Sequence, residues 1–494
     1  MPAKKKVTKG QTKKKGATRK VVKKTKKKVE KVSKKKVVKK QTKTKVVTKV
    51  SAKKVSTDKS KSEKKIHTPQ LLRGMKDILP NHEVYWKKMY ETALSLTNAY
   101  NFAYIETPVL ESASLFVRSI GGSTDIIEKE MYVFEDRDGS KVAMRPEATA
   151  SIVRSYIGHG MHVDPQPVKV WYYGPMFRHD RPQAGRFREF HQFGCETLGV
   201  RDAVVDAELI VVAYNFLRDL GIDTNVHINS IGSPQDRQNY KIELVAYLRS
   251  KRSYLCDDCK RRINKNPLRT LDCKSEQCQP VKEDAPQIID WLKEDAKEYF
   301  MKVLEYLDEL DIPYVLQPTL VRGLDYYTDT VFEMYQIDEE GASQQSALCG
   351  GGRYDLLSEQ LGGQPTPASG FAMGLERVVS ALRKKAGEGG MKDSNKAPIY
   401  FAQLGWQGRQ KALALLEDMR RNNIFVYHNL GKSSLKAQLE AANKFGVTHS
   451  IILGQKEVQD GTVIIRDMES GIQEIVDQKK LKREMDKILQ KKEM

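Results

Sequence analysis

The chain divides its charge so unevenly that its first 65 residues and the remainder cannot share one fold. Residues 1–65 hold 28 lysines, one arginine and three acids, a net charge of +26, whereas all 494 residues together carry +22. The body is therefore mildly acidic, at −4. Before Ile66 the only apolar residues of any size are valines and the initial Met. Such a segment buries too little apolar surface to offset the entropy lost on ordering, so residues 1–66 are expected to form a disordered Lys-rich tail. One physical reading of the tail is salt-dependent attraction to RNA or other phosphates without sequence preference; the other is a solubilising role with no defined partner. A chromatin-like DNA-binding protein would rest on the tail alone and leave the body unexplained.

The tail lacks the apolar core of a secretory signal and nearly lacks the arginine of a mitochondrial presequence. No run approaches the roughly 18 apolar residues of a membrane span. The body is expected to be soluble and cytoplasmic, with no membrane partner, although a eukaryotic host could read the lysine clusters as a nuclear address. Six cysteines form no dense disulfide framework and suit a reducing compartment.

Along the body, residues 67–234 mix helix and strand patterns. Trp86, Met89, Ala93 and Leu96 share one face of a long helix. VAMR (142–145) and VKVWYYG (168–174) read as strands, and DAELIVVAYNFLRDLG (206–221) as a helix ended by Gly221. Residues 235–318 are rich in charge and helix formers and read as an inserted helical module. Strands and Gly turns return over 319–383, a Gly/Lys-rich linker covers 384–397, and 398–494 alternates strand and helix as a compact α/β domain. Within that domain a helix is expected over 408–421, a strand at IFVYHNL, a Ser-capped helix at SSLKAQLEAANKFG and a closing hairpin around MESG.

The most informative stretch is PMFRHDRPQAGRFREFHQFGCE (175–196). VWYYGPMFR and RFREFHQFGCE, joined by a turn holding Pro182 and Gly185, should form an antiparallel hairpin. Alternation sets Arg186, Arg188, Phe190, Gln192 and Gly194 apart from Phe187, Glu189, His191 and Phe193. Arginines pair with phosphate oxygens and an aromatic ring stacks on a base, so the pattern suits a nucleotide site. Its plain alternative is a salt-bridged edge hairpin. RPEATA (145–150) puts Glu147 and Thr149 at a strand end, where they can hold an ammonium group. VRGLDYYTDTVFE (321–333) offers Arg322 beside Tyr326 and Tyr327. CGGGRYD (349–355) permits close backbone approach but has neither the Lys-Ser/Thr of a P-loop nor a dinucleotide fingerprint. In GFAMGLERVVSAL (370–382) a helix start carries Arg377, an arrangement that favours phosphate.

Taken together, 175–196 resembles motif 2 of the class II aminoacyl-tRNA synthetases and GFAMGLER resembles their motif 3. VRGLDYYTDTVFE and GGGRYD look like the two signature peptides of histidyl-tRNA synthetases. RGMKDILP (73–80), SIGGSTDIIEKEMYVFEDRDG and the last domain are similar to the same family, so the resemblance spans roughly 68–490. It implies an α/β chain whose α+β catalytic core is an antiparallel sheet with flanking helices, assembled from 67–234 and 319–383. It further implies a helical insertion, an anticodon-binding domain and a homodimer. The implied reaction is activation of L-histidine with ATP and Mg²⁺, then transfer to the 3′ end of histidine tRNA.

By matched position, Arg178 would hold the α-phosphate, Arg186 and Arg377 the outer phosphates, and Phe190 the adenine. Glu147, Ala148, Thr149 and Gln192 would surround the histidine α-amino group, and Glu196 and Tyr327 the imidazole, with Tyr326 alongside. Arg322 would bridge the histidine carboxylate and the α-phosphate, which leaves Arg322, Arg178 and Gln192 nearest the reacting atoms. Asp180 and Ala148 depart from the family's common Glu and Gly without removing a functional group. A non-catalytic regulatory relative of histidine biosynthesis is the competing reading, but such proteins typically lose the ATP-site arginines and the last domain, and both are present here. Cys256, Cys259, Cys273 and Cys278 lie outside the general family pattern. Their Cys-x2-Cys and Cys-x4-Cys spacing allows structural zinc or ordinary thiols.

Overall fold

The computed structural model describes residues 68–121, 124, 126–181, 185–337, 346–387, 390–391 and 397–493. The tail, the Pro182 turn and much of the expected linker lie outside them. The central feature is an eight-stranded sheet in the order β1 (Ala103–Tyr104), β5 (Val168–Phe177), β6 (Glu189–Leu198), β11 (Ala368–Gly374), β10 (Cys349–Arg353), β9 (Thr328–Gln336), β7 (Thr224–Ser230) and β8 (Tyr314–Leu316). The six strands from β5 to β7 are mutually antiparallel; β1 and β8 add parallel edges. The arginine-rich hairpin is thus interior, with β6 hydrogen-bonded to β5 and β11 on its two sides, and the edge-hairpin alternative fails. A small sheet of β2 (Leu110–Ser112), β4 (Lys141–Met144) and β3 (Val133–Glu135) lies in the chain between β1 and β5.

Period-two alternation gives the large sheet two different faces. Trp171, Phe193, Cys195, Phe371 and Met373 point into an apolar cluster under the helices Glu83–Ala99, Ala203–Asp219 and Glu294–Glu309. There Phe193 meets Phe216 at 4.8 Å between ring centroids and Phe371 at 5.7 Å. Fully buried Phe216 is the kind of side chain whose truncation to Ala costs about 3–5 kcal/mol. The Ala203–Asp219 helix begins three residues before the sequence pattern suggested, because Asp202 caps it by accepting the Val204 N–H at 3.0 Å. Along the other face run Tyr172, Gln192, Gly194, Glu196 and Gly370, and this face carries the candidate site.

The 235–318 stretch, expected as one insertion, divides in two. The Glu294–Glu309 helix buries Phe300, Val303, Leu304 and Leu307 in the main cluster, and β8 joins the main sheet. The helical module proper is the Pro234–Ser250, Asp257–Lys265 and Gln279–Glu283 helices with the short turns between them. Ser233 opens it with a reciprocal cap on Asp236.

From residue 397 a second sheet runs β13 (Tyr427–His428), β12 (Ile399–Gln403), β14 (His449–Leu453), β15 (Thr462–Asp467) and β16 (Gln473–Asp477). Its first three strands are parallel and the last two form the closing hairpin. The helix expected over 408–421 spans Gly405–Arg421, and IFVYHNL contributes only a two-residue strand. Ser434 caps the Leu435–Phe445 helix, which ends on left-handed Gly446.

Candidate active site

The register of the central strands explains where a ligand can enter. Gln192 lies between Gly174 of β5 and Gly374 of β11, and Glu196 lies beside Gly370. Missing side chains at these positions leave a trough along β6. A Cβ at Gly370 would overlap Oε2 of Glu196, and one at Gly350 would overlap the Arg322 guanidinium. The glycines of CGGGRYD therefore serve close approach, as expected, but the groups approaching are the protein's own strands and arginine.

At one end of the trough Glu196 is almost fully buried. It accepts the Thr149 hydroxyl at 2.7 Å and the Tyr354 hydroxyl. Burial pushes its carboxyl up to about 8, against the hydrogen bonds from Tyr354 and Thr149, with Glu147 adding to the rise. Tyr326 and Tyr327 stand together at 4.8 Å between centroids, and Tyr326 lies 5.6 Å from Tyr354. Burial raises all three phenols, so they are neutral hydrogen-bonding groups. Glu147 accepts the backbone N–H of Thr149 at 2.7 Å and of Ala150 at 2.9 Å, pinning the start of the Thr149–Gly158 helix. Ala148 is buried beside it. Thr149 and Glu147, expected at an ammonium group, thus have protein groups as their first partners.

Toward the other end come the arginines. Arg178 donates to the Pro146 carbonyl at 2.8 Å and lies 5.3 Å over the Phe190 ring, so one face of the expected adenine platform carries a guanidinium. Arg186 pairs with Asp180 at 3.1 Å. Arg377, third in the Leu375–Ala386 helix, donates to the carbonyls of Ala347 and Gly185. Burial lowers the pKa of Arg377, and Arg186 and Arg178 lower it further. Three like charges crowded at a half-open cleft call for an anion.

Arg322 joins the two ends. It is ion-paired to Glu333, whose other oxygen accepts from Tyr335, and its guanidinium lies 5.7 Å over Tyr327. Burial opposes its charge, but Glu333, Tyr327 and Tyr326 together outweigh burial and raise its pKa above the usual guanidinium value. Gln192 Oε1, Arg322 Nε and the Tyr172 hydroxyl are among the fifteen buried side-chain polar atoms without a hydrogen-bond partner in the described residues. Unpaired buried polar atoms are costly, and these three lie toward the same sheet face, where a polar ligand would satisfy them.

The sequence reading missed Tyr354, Glu333 and Tyr335. Tyr354 is 158 positions from Glu196, and no local pattern links the two. Glu333 was within a quoted motif, but only the pairing of Gly350 with Glu333 shows that it faces Arg322. Outside the arginine cleft, the four cysteine sulfurs of the helical module lie within 4.8 Å of one another, with Cys256 and Cys273 at 3.8 Å.

An antiparallel sheet bearing an arginine-lined hairpin, a glycine trough and a helix that presents Arg377 defines the catalytic core of a class II aminoacyl-tRNA synthetase. Similarity to known proteins narrows this. The family model for histidyl-tRNA synthetase matches residues 74–235 and 243–378, and that for an anticodon binding domain matches 400–488. The histidine–tRNA ligase of Halothermothrix orenii is 44% identical over 84% of this chain and 99% of its own length. That of Aquifex aeolicus is 45% identical over 82% and 97% respectively. The crystal structure of the apo S. aureus histidyl-tRNA synthetase aligns with TM-score 0.70 and 33% identity, covering 85% of this chain and 100% of that one. The chain belongs to the histidyl-tRNA synthetase family.

Proposed function

We propose that the trough along β6 binds histidine at its Glu196 end and ATP at its arginine end, and that Arg322 acts where the two meet. The reaction is that of a histidine–tRNA ligase: the histidine carboxylate attacks the α-phosphorus of ATP, pyrophosphate leaves, and the histidyl group passes to the 3′ end of histidine tRNA. The orphaned polar atoms of Gln192 and Arg322 on one sheet face carry this reading.

In the proposed pose, Gln192 and Thr149 receive the α-amino group while Glu147 and Ala148 shape the loop around it. Glu196 and Tyr327 bracket the imidazole, with Tyr326 and Tyr354 behind them. A side chain without ring nitrogens would leave these buried groups unpaired, which is the strongest available basis for discrimination. Arg178 holds the α-phosphate, Arg186 and Arg377 the outer phosphates, and Phe190 the adenine. Carboxylate attack brings two anions together, and charge accumulates on phosphate oxygens. A guanidinium fixed by Glu333 stabilises that charge without reorganising. Mg²⁺ would arrive with ATP and neutralise its phosphates, and the Glu333 carboxylate is already shared by Arg322 and Tyr335. Zinc at the four cysteines would be structural.

The core is built from 67–234 and 319–383, 235–318 holds the insertion, 384–397 links, and 398–494 reads the anticodon. The active form is a homodimer, which sedimentation showing only monomer would refute. No described helix is long and apolar enough to cross a membrane, and a cytoplasmic location, testable by fractionation, suits the substrates.

Histidine-dependent ATP–pyrophosphate exchange, run with all twenty amino acids, tests the central reading. Exchange should occur with histidine alone and fall about 10²–10³-fold in Arg322→Ala, the range for losing one well-placed donor. Exchange that survives the substitution would remove Arg322 from the reaction. No exchange from folded wild-type protein would point to the regulatory reading.

A further inference from the structure

The four cysteines are arranged more tightly than ordinary loop thiols require. Cys256 is the residue before the Asp257–Lys265 helix, Cys259 lies in its first turn, Cys273 follows in a loop, and Cys278 ends the Glu276–Cys278 turn. Three of the four are buried and none is in a disulfide. Tetrahedral zinc with Zn–S bonds of about 2.3 Å separates its sulfurs by about 3.8 Å. The Cys256–Cys273 separation is 3.8 Å, and all four sulfurs fall within 4.8 Å. Two backbone N–H groups already point at sulfur: Cys256 N–H toward Cys278 Sγ at 3.2 Å and Ser275 N–H toward Cys273 Sγ at 3.5 Å. Among the described residues, this is the one group of three or more His, Cys, Asp or Glu side chains placed to share an ion.

What the cluster touches gives it a consequence. Leu255, Cys259, Ile263 and Leu271 share an apolar cluster with Leu320, Val321, Tyr326 and Tyr327. Asn266, at the end of the cysteine-bearing helix, donates to Asp325 Oδ1 at 3.0 Å. Arg269 lies so close to Gly323 that a Cβ there would come within 2.8 Å of its guanidinium. The 256–278 segment is therefore the back wall of the 320–327 loop.

We propose that Cys256, Cys259, Cys273 and Cys278 bind one Zn²⁺ as thiolates, their protons passing to solvent, and that the ion clamps this wall so that zinc loading sets the affinity for histidine. The second half rests on the reading that the 320–327 loop binds histidine; the first does not. Zinc is the expected metal because four soft sulfur ligands in tetrahedral array select it over Mg²⁺ or Ca²⁺.

The full chain, purified without chelator, should hold about one zinc per chain by elemental analysis. Exchange into Co²⁺ should produce tetrahedral thiolate-to-metal absorption. Less than a tenth of an equivalent of zinc, together with no thiolate–cobalt absorption after reconstitution, would overturn the site whatever the enzyme's activity. In Cys278→Ser, zinc should fall several-fold and the KM for histidine rise several-fold, with the KM for ATP little changed. Because that variant tests folding as well, Asn266→Ala is its companion: it keeps all four ligands and should retain zinc while raising the histidine KM. Zinc bound in both proteins with histidine KM unaltered in Asn266→Ala, and unaltered on zinc removal from the wild type, would overturn the clamp. Wild-type histidine-dependent exchange would still stand, so the two failures are distinguishable.

Discussion

At the scale of single residues, Glu196 carries an unusual burden: a carboxyl enclosed by Thr149, Tyr354 and the glycine floor, pushed up to about 8. A carboxyl whose folded value exceeds the unfolded one binds its proton more tightly in the native state. Its contribution to stability is fully present below the ordinary value of 4.5 and is lost as pH rises through about 8. Without histidine, the melting temperature of the wild type should fall across that window, and Glu196→Gln should flatten the fall, as followed by differential scanning calorimetry. An equal slope in both proteins would remove the buried proton. Glu333 tests positioning. A hydrogen bond to a charged partner is worth about 1.5–3 kcal/mol, so Glu333→Gln should lower kcat about tenfold or more while the KM for histidine changes less. Unchanged kcat would mean that Arg322 needs no holder.

At the scale of elements, the site is a product of strand register. Gln192, Gly194 and Glu196 share a face because they are two residues apart, and glycines stand opposite two of them, Gly174 and Gly374 beside Gln192 and Gly370 beside Glu196. Gly370→Ala would put a methyl group onto Glu196 and displace its carboxylate from Tyr354 and Thr149. The expected result is a rise of at least tenfold in histidine KM with little change in ATP KM, measured by pyrophosphate exchange. A variant with normal histidine KM would show that Glu196 is not the imidazole partner. The pairing of motif 2 with motif 3 is likewise an element-scale device. Glu376, in the first turn of the Leu375–Ala386 helix, accepts from the His191 N–H at 2.9 Å and meets its ring Nδ1 at 2.9 Å. It ties the helix bearing Arg377 to the strand bearing Gln192.

At the scale of the whole molecule, the charge is split between a tail of +26 and a body of −4. A mildly acidic body gains little long-range attraction for a polyanion, and we propose that the tail supplies non-specific RNA affinity. Deleting residues 1–65 should weaken tRNA binding and reduce the steepness with which Kd rises with salt. ATP–pyrophosphate exchange, which needs no tRNA, should be unaffected. Filter binding at several salt concentrations would show it, and an unchanged Kd and slope would assign the tail no part in tRNA binding.

Much of this was legible in the residues alone. Local alternation and helical spacing identified the motif 2 hairpin, the Ala203–Asp219 helix and the Ser434 cap, because these depend on neighbours a few positions away. The motif peptides named the family and supplied the residues proposed for its reaction, since Arg178, Gln192, Arg322 and Arg377 each sit in a recognisable local context. What required the tertiary structure was every relation between distant segments. Tyr354 reaches Glu196, Glu333 fixes Arg322, the Glu294–Glu309 helix leaves the expected insertion for the main core, and the cysteine turns form the wall behind Tyr326 and Tyr327. Sequence sets which groups a strand or helix can present; the register between strands and the packing between layers set which groups meet, and buried charge and unpaired polar atoms exist only once they have met.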